Sequence, residues 1–460
     1  MNILFVSLGC DKNLVDSEVM LGLIKDKGYQ ITNVEPEADV IVINTCCFID
    51  DAKEESINTI LEMAEYKKMG RLKGLIVTGC MAQRYKEEIL NEMDEVDAIL
   101  GTSSYNEIVN VIEDVLKGKK SVFVKDPDET QDVNTSRINT TGGYYSYLKI
   151  AEGCDKHCTY CIIPKIRGNY RSVPMEKLIN EAKELAAAGV KELILVAQET
   201  TLYGKDLYGE KRLPELLKEL CKIDGLEWIR ILYAYPEEIT DELIHVIKSE
   251  DKICNYIDMP IQHASDAVLK RMGRRTNKEE LKTIINKLRA NIPDICIRTT
   301  LITGFPGETD EEHDELKEFV REMKFDRLGV FTYSKEEDTP AAKMKNQIRK
   351  HIKKRRQAEI MELQQKIAFE HAREMIGKKL RVIIEGRLPE ENVAEQVPES
   401  NDGLASGAYN IYIGRTYMDA PNVDGYIFVQ AQEELMSGDF VDVMVTDAKE
   451  YDLIGRIINS

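Results

Sequence analysis

Three cysteines crowd the stretch "AEGCDKHCTYCIIP" (residues 151–164): Cys154, Cys158 and Cys161, spaced four and three apart. The thiolate is a metal ligand, so thiols at this spacing read as a ligand set rather than as independent core residues. A structural zinc site needs a fourth Cys or His at its own characteristic spacing. His157 lies inside the loop, but C-x3-C-x2-C is not the spacing of a zinc knuckle or ribbon. Thiolates also hold iron–sulfur clusters. Three of them on a four-iron cube leave one iron without a protein ligand, which accounts for the missing fourth residue.

A second set is dispersed. "VSLGC", "VINTC" and "IVTGC" each run from an apolar strand into a cysteine: Cys10, Cys46 and Cys80. In an open parallel sheet, ligands bind outside the carboxyl ends of the strands near the topological switch point. Three cysteines at three such ends can therefore meet although far apart in sequence. The alternative is three buried core thiols, since free Cys is often buried. Cys47 competes with Cys46, but strand neighbours point to opposite faces, so only one can serve. Cys221, Cys254 and Cys296 show no ligand spacing and read as core.

The elements that must position these residues follow from periodicity. Residues 1–125 alternate short apolar strands with amphipathic helices, the pattern of a doubly wound parallel sheet. Residues 126–139 lack apolar periodicity and read as a linker. Residues 140–372 alternate again. Six strands can be placed, "YSYLKIAEGC", "ELILVAQE", "WIRILYAYP", "NYIDMPIQ", "CIRTTLITG" and "RLGVFTYS", and six rather than eight predicts a partial, open β/α barrel. One long helix is expected over 340–372. Its "RKHIKKRR" is either a solvated helix face or a docking patch. Residues 375–460 carry short strands and Gly and Asp turns, predicting a small antiparallel barrel.

Composition bounds the rest. The 460 residues carry a net charge of −19, which disfavours a general nucleic-acid binder and favours basic partners. "MNILFVSLGCDKN" reads as a first strand, not a secretory leader, and no apolar run is long enough for a membrane helix. A cytoplasmic protein is expected, without disulfides.

C-x3-C-x-aromatic-C after a first barrel strand resembles the radical S-adenosylmethionine enzymes. That resemblance implies a [4Fe-4S] cluster on Cys154, Cys158 and Cys161, whose open iron takes the amino and carboxylate groups of S-adenosylmethionine, with Tyr160 beside the adenine. Gln198 or Glu199 in "VAQET" then receives the methionine ammonium. "CIRTTLITGFPGET" resembles the superfamily's G-x-I-x-G-x-P-G-E, with Thr300 in place of the first glycine, which implies cofactor contacts at Ile302 and Gly304. Strand alternation puts Arg298, Thr300 and Ile302 on one face. Arg298 would then meet the cofactor carboxylate or a nearby acid, or else form a structural ion pair inside the barrel. His263 stands at the end of the fourth strand and is a further candidate for the site.

The N-terminal triad, a radical domain and a small β-domain together resemble the methylthiotransferase family over essentially the whole chain. The resemblance implies a second [4Fe-4S] cluster on Cys10, Cys46 and Cys80 that carries an exogenous sulfur species. One S-adenosylmethionine methylates that sulfur; a second, after reduction by an external electron donor, provides the radical that activates the substrate C–H bond. "VSLGCDKNLVDSE", "AEGCDKHCTYCIIPKIRG" and "GRTYMDAPNVDG" resemble the subfamily acting on the β-carbon of an aspartate in the twelfth protein of the small ribosomal subunit, met free or on the ribosome. The alternative subfamily modifies an adenosine beside the tRNA anticodon. The last domain resembles a TRAM module, yet from Met375 onward it carries seven Lys or Arg against fifteen Asp or Glu. An acidic module suits a basic ribosomal protein better than RNA phosphates. An electron carrier without a substrate of its own is the reading from another class; cleavage of S-adenosylmethionine would exclude it.

Overall fold

The computed structural model describes residues 1–129, 137–389 and 410–458; part of the expected linker, 130–136, lies outside them. The N-terminal sheet holds six parallel strands: β1 (Asn2–Ser7), β2 (Gln30–Thr32), β3 (Val40–Thr45), β4 (Gly74–Gly79), β5 (Ala98–Leu100) and β6 (Ser121–Phe123). Their order is β2-β1-β3-β4-β5-β6. Every residue of β3 and β4 is buried, as strands covered by helices on both faces must be. The switch point falls between β1 and β3. The helical stretch after β4 is broken at Lys86, whose φ of 43° separates α3 (Cys80–Tyr85) from a short helix at Glu87–Glu92.

The central sheet contains the six expected strands, β7 (Tyr145–Lys149), β10 (Glu192–Val196), β11 (Trp228–Ile231), β12 (Ile253–Asp258), β13 (Cys296–Thr303) and β14 (Arg327–Thr332). They are parallel, in the order β14-β13-β12-β11-β10-β7, and do not close into a ring. Two short strands, β8 (Ala151–Glu152) and β9 (Arg171–Ser172), pair antiparallel and clamp the two ends of the cysteine loop. The long helix is shorter at its start than expected. Ala341–Lys343 is a single 3-10 turn, and the helix proper spans Lys350–Glu374. Its Gln357 and Gln364 amides donate to the carbonyls of Val330 (2.6 Å) and Phe325 (2.7 Å), covering edge strand β14.

The small domain is a closed barrel of β15 (Lys379–Arg387), β16 (Asn410–Thr416), β17 (Ile427–Ala431), β19 (Asp452–Ile457) and β18 (Phe440–Lys449) in that order. It departs from the antiparallel expectation at one seam, because β17 and β19 run parallel. The segment after β16 plugs the N-terminal mouth of the central sheet. Arg230 donates to the Tyr417 carbonyl (2.6 Å), Arg327 pairs with Asp419 (2.6 Å), and Tyr256 donates to Asp424 (2.8 Å). Glu192, fully buried, bridges Arg230 (2.8 Å) and Arg415 (2.6 Å) across this interface. With its N-terminal mouth filled, the sheet is left with its C-terminal end as the working face.

Candidate active site

Cys10, Cys46 and Cys80 lie just past their strands rather than on them. Cys10 is the exposed, extended residue that caps α1 (Asp11–Asp26); Cys46 follows β3; Cys80 opens α3. Cys10 and Cys46 thus flank the switch point. Gly9 has φ 88°, and a Cβ there would stand 2.8 Å from Cys46 Cβ and 3.1 Å from its Sγ. Only glycine lets the two segments approach this closely. Asn13 gathers the set: its amide donates to the carbonyls of Leu8 (3.2 Å) and Thr45 (3.0 Å), and its Oδ1 is 3.6 Å from Cys80 Sγ. Ser56 fixes the Cys46 backbone, accepting from its N–H (3.1 Å) and donating to its carbonyl (2.9 Å). It is Cys46 that stands against Gly9, while Cys47 is fully buried and gives its carbonyl to Arg84 (3.3 Å). Burial, reinforced by Cys80 and Cys10, pushes the Cys46 thiol up to about 12, and burial raises Cys80 as well. Such thiols ionise only against a strong positive charge, which a metal centre supplies.

The second triad sits in the loop between β8 and the helix Ile163–Arg167. The loop is held by its backbone. Thr159 donates from its N–H to Met272 (2.9 Å) and from its hydroxyl to the Arg271 carbonyl (2.8 Å), and its carbonyl accepts from Ala341 (2.8 Å). Burial, with Cys158 and Glu199 nearby, pushes Cys154 up to about 11, and burial raises Cys161. Tyr160 and Ile302 join one apolar cluster with Met272, Phe305 and Tyr333 beside the loop. The ring of Tyr160 meets Phe305 edge-on at 6.4 Å.

Glu199 and Gln198 separate. Glu199 is fully buried, and burial pushes its carboxyl up to about 7. Its Oε1 accepts from the Thr201 N–H (3.0 Å), its Oε2 has no hydrogen-bond partner, and Lys156 stands 3.7 Å away. Gln198 instead donates to Glu152 (2.7 Å). Of the other expected site residues, Gly304 has its Cα covered by the stem of Lys353. Arg298 is an interdomain ion pair, with Asp258 at 2.8 Å and Asp424 of the small domain at 3.3 Å. His263 is a buried turn residue whose Nδ1 accepts from the Ser265 N–H (3.0 Å).

Sequence reasoning missed the polar cluster beside Cys80. Arg167 ends the short helix after Cys161. It donates to Asp16 (2.6 Å), Glu152 (3.2 Å) and Asn13, and lies 3.5 Å from Cys80 Sγ. Lys149 joins Asp16 to Glu152 (2.8 Å) beside it. The signal available was the charged run "PKIRGNYR" directly behind the ligand loop. Among the described residues no three His, Cys, Asp or Glu side chains close on a single metal ion, but within each triad the thiols stand near enough to raise one another.

Comparison with known proteins agrees with this organisation. Residues 2–101 match the model of Uncharacterized protein family UPF0004, residues 148–320 the Radical SAM superfamily, and residues 376–458 the TRAM domain. The chain is 70% identical over 455 residues to a protein of Lachnoclostridium phytofermentans named ribosomal protein uS12 methylthiotransferase RimO, covering 99% of both chains. It is 50% identical over 452 residues, 98% of each chain, to the protein of that name from Clostridioides difficile. A solved structure of the radical S-adenosylmethionine methyltransferase TsrM from Kitasatospora setae, with cobalamin and a [4Fe-4S] cluster bound, shares the fold. Its TM-score is 0.55 at 12% identity, over 82% of this chain and 78% of that one.

Proposed function

The chain belongs to the family of ribosomal protein uS12 methylthiotransferases named RimO, and on that premise we propose that it inserts a methylthio group at the β-carbon of an aspartate in the twelfth small-subunit protein. The observation that carries this reading is the pair of cysteine triads, one beyond each parallel sheet, with Arg167 of the helix that follows Cys161 reaching to 3.5 Å from Cys80 Sγ. Cys10, Cys46 and Cys80 would hold one [4Fe-4S] cluster; Cys154, Cys158 and Cys161 would hold the other and leave an iron for S-adenosylmethionine. When bound, these groups supply polar methyl transfer to a sulfur species and a carbon radical able to break an unactivated C–H bond.

The protein's own contribution is placement. Thr159 and the β8–β9 clamp fix the second loop, while Gly9, Asn13 and Ser56 fix the first. Tyr160 and Ile302 offer an apolar wall for an adenine. Glu199, whose buried Oε2 accepts no hydrogen bond and faces Lys156 at 3.7 Å, offers an acceptor for an ammonium, and we favour it over Gln198. Arg298 and Gly304 leave this assignment, the first because its guanidinium is consumed by Asp258 and Asp424. The working division is 1–125 for the sulfur-bearing unit, 140–372 for the radical core and 375–460 for the small barrel. An external electron donor, substrate met free or on the ribosome and a cytoplasmic site complete the proposal; no helix among the described residues is long and apolar enough to cross a membrane.

Mass spectrometry of uS12 and of tRNA from cells with and without the gene tests it. Loss of about 46 Da from uS12, the methylthio group replacing hydrogen, is the expected result. Unchanged uS12 with loss of a methylthioadenosine from tRNA would overturn it.

A further inference from the structure

Among the buried and part-buried cations, Lys149, Arg167 and Arg298 each meet two carboxylates. Lys149 and Arg167 share Asp16 and Glu152, and Arg298 has Asp258 and Asp424. Lys12 differs. It lies in the first turn of α1, two residues past Cys10, and is only 7% exposed. One carboxylate meets its ammonium, Asp11 at 2.8 Å. The other neighbour is a ring face, with the Tyr233 centroid 3.4 Å away. An ammonium has three N–H donors, and a ring face is a weak substitute for an acceptor.

The surroundings are built to hold this arrangement. Tyr233 follows β11 at the working end of the central sheet and keeps a left-handed backbone, φ 58°, uncommon for an aromatic residue. Its N–H donates to Asp258 (3.1 Å) and its hydroxyl to Asp11 Oδ1 (3.2 Å). Asp11 Oδ2 is buried with no hydrogen-bond partner. The N-terminal unit thus presents a desolvated cation, beside the exposed Cys10, to the floor of the radical core.

We infer that Lys12 is the subsite for the side-chain carboxylate of the target aspartate, with Tyr233 as its floor and Asp11 holding the ammonium in place. This inference rests on the proposed function. A carboxylate entering a water-poor space needs a cation with good hydrogen bonds. The reacting β-carbon is one bond from that carboxylate. Anchoring the carboxylate on Lys12 therefore holds the carbon within the neighbourhood of Cys10.

The test is a double-mutant cycle between enzyme and substrate, run on reconstituted holoenzyme. Two uS12 peptides are used, one with the target aspartate and one with asparagine in its place. Peptide affinity is measured by fluorescence anisotropy without reductant, and kcat and KM for product with it. Wild type should favour the aspartate peptide about 100-fold, the scale on which a buried charge pair is broken. Lys12→Met should lose that preference, chiefly through affinity and KM, and treat both peptides alike. Equal discrimination in wild type and Lys12→Met would overturn the inference while leaving the proposed function intact. Absence of any uS12 product from wild type would remove both. Iron content and cluster absorption identify a Lys12→Met protein that does not assemble. In that event Lys12→Arg decides: it should keep the aspartate preference, and loss of the preference in a fully loaded Lys12→Arg enzyme overturns the inference.

Discussion

Single side chains divide the two halves of the proposed reaction. Cys154→Ala should abolish cleavage of S-adenosylmethionine, read as 5′-deoxyadenosine; persistent cleavage in a reconstituted variant would contradict the assignment. Cys10→Ala should retain cleavage and lose methylthio product, and normal product would refute it. His263 gives a prediction about stability. Burial, with His313, Arg271 and Arg356 around it, pushes the imidazole from 6.5 down to about 3. The unfolded chain therefore takes up a proton below about 6.5 that the folded chain refuses until about 3. Stability should fall with acid across that window by about 1.4 kcal/mol per pH unit from this group, and be unaffected by it above 6.5. Denaturation of wild type and His263→Leu at pH 7 and pH 5 should show a shallower loss in the variant, and equal losses would count against it. The cysteines were legible because their spacing is itself the chemistry. Arg298 was half legible. Alternation put it on the face of Ile302, and both are partly exposed there, but alternation gives a face and not a depth. Its depth is the end filled by Asp424.

Elements were legible where the hydrophobic pattern is long. All six central strands and the long N-terminal strands β1, β3 and β4 run through apolar stretches of the sequence, and the short β5 lies within the apolar "VDAILG". The edge strands β2 and β6 were not placed, since three residues such as "QIT" or "SVF" are too short to show a period. The break at Lys86 is equally silent, because lysine gives no warning of a left-handed backbone. The same limit hides the clamp formed by β8 and β9, which depends on Gly153. Its φ is 78°, and a Cβ there would collide with the Asn169 carbonyl. Gly153→Ala should therefore destabilise the protein by more than about 1 kcal/mol, with the damage centred on the Cys154 loop. Iron bound by the second triad should drop, measured in a Gly153→Ala, Cys10→Ala, Cys46→Ala, Cys80→Ala protein against the same triple-alanine background, where the second triad is the one cysteine triad left. Full iron in that protein would show the clamp to be dispensable.

At the scale of the whole molecule, net charge predicts less than the contacts do. The acidity of the last domain was legible from counting, but its use was not: Asp419 and Asp424 turn inward onto Arg327 and Arg298, so they do not face a partner. The basic run at the start of the long helix is also divided, with Arg356 buried against Glu308 (3.1 Å) and Lys350 and Lys354 exposed. What holds the small barrel to the core is the desolvated set Glu192, Arg230 and Arg415, in which each charge depends on the others. Removing one partner of such a set typically costs about 3–5 kcal/mol, because a buried charge is left uncompensated. The chain reports on this interface through its single tryptophan. Trp228 packs edge-on against Phe440 of the small barrel at 4.8 Å and is buried by it. Arg415→Ala should loosen docking before either domain unfolds. In a denaturant titration its tryptophan emission should shift to the red at a lower concentration than the loss of far-ultraviolet circular dichroism, whereas in wild type the two transitions should lie closer together. Coincident transitions at an unchanged midpoint in Arg415→Ala would show that apolar contacts such as Trp228 on Phe440, and not the buried charges, fix the barrel in place.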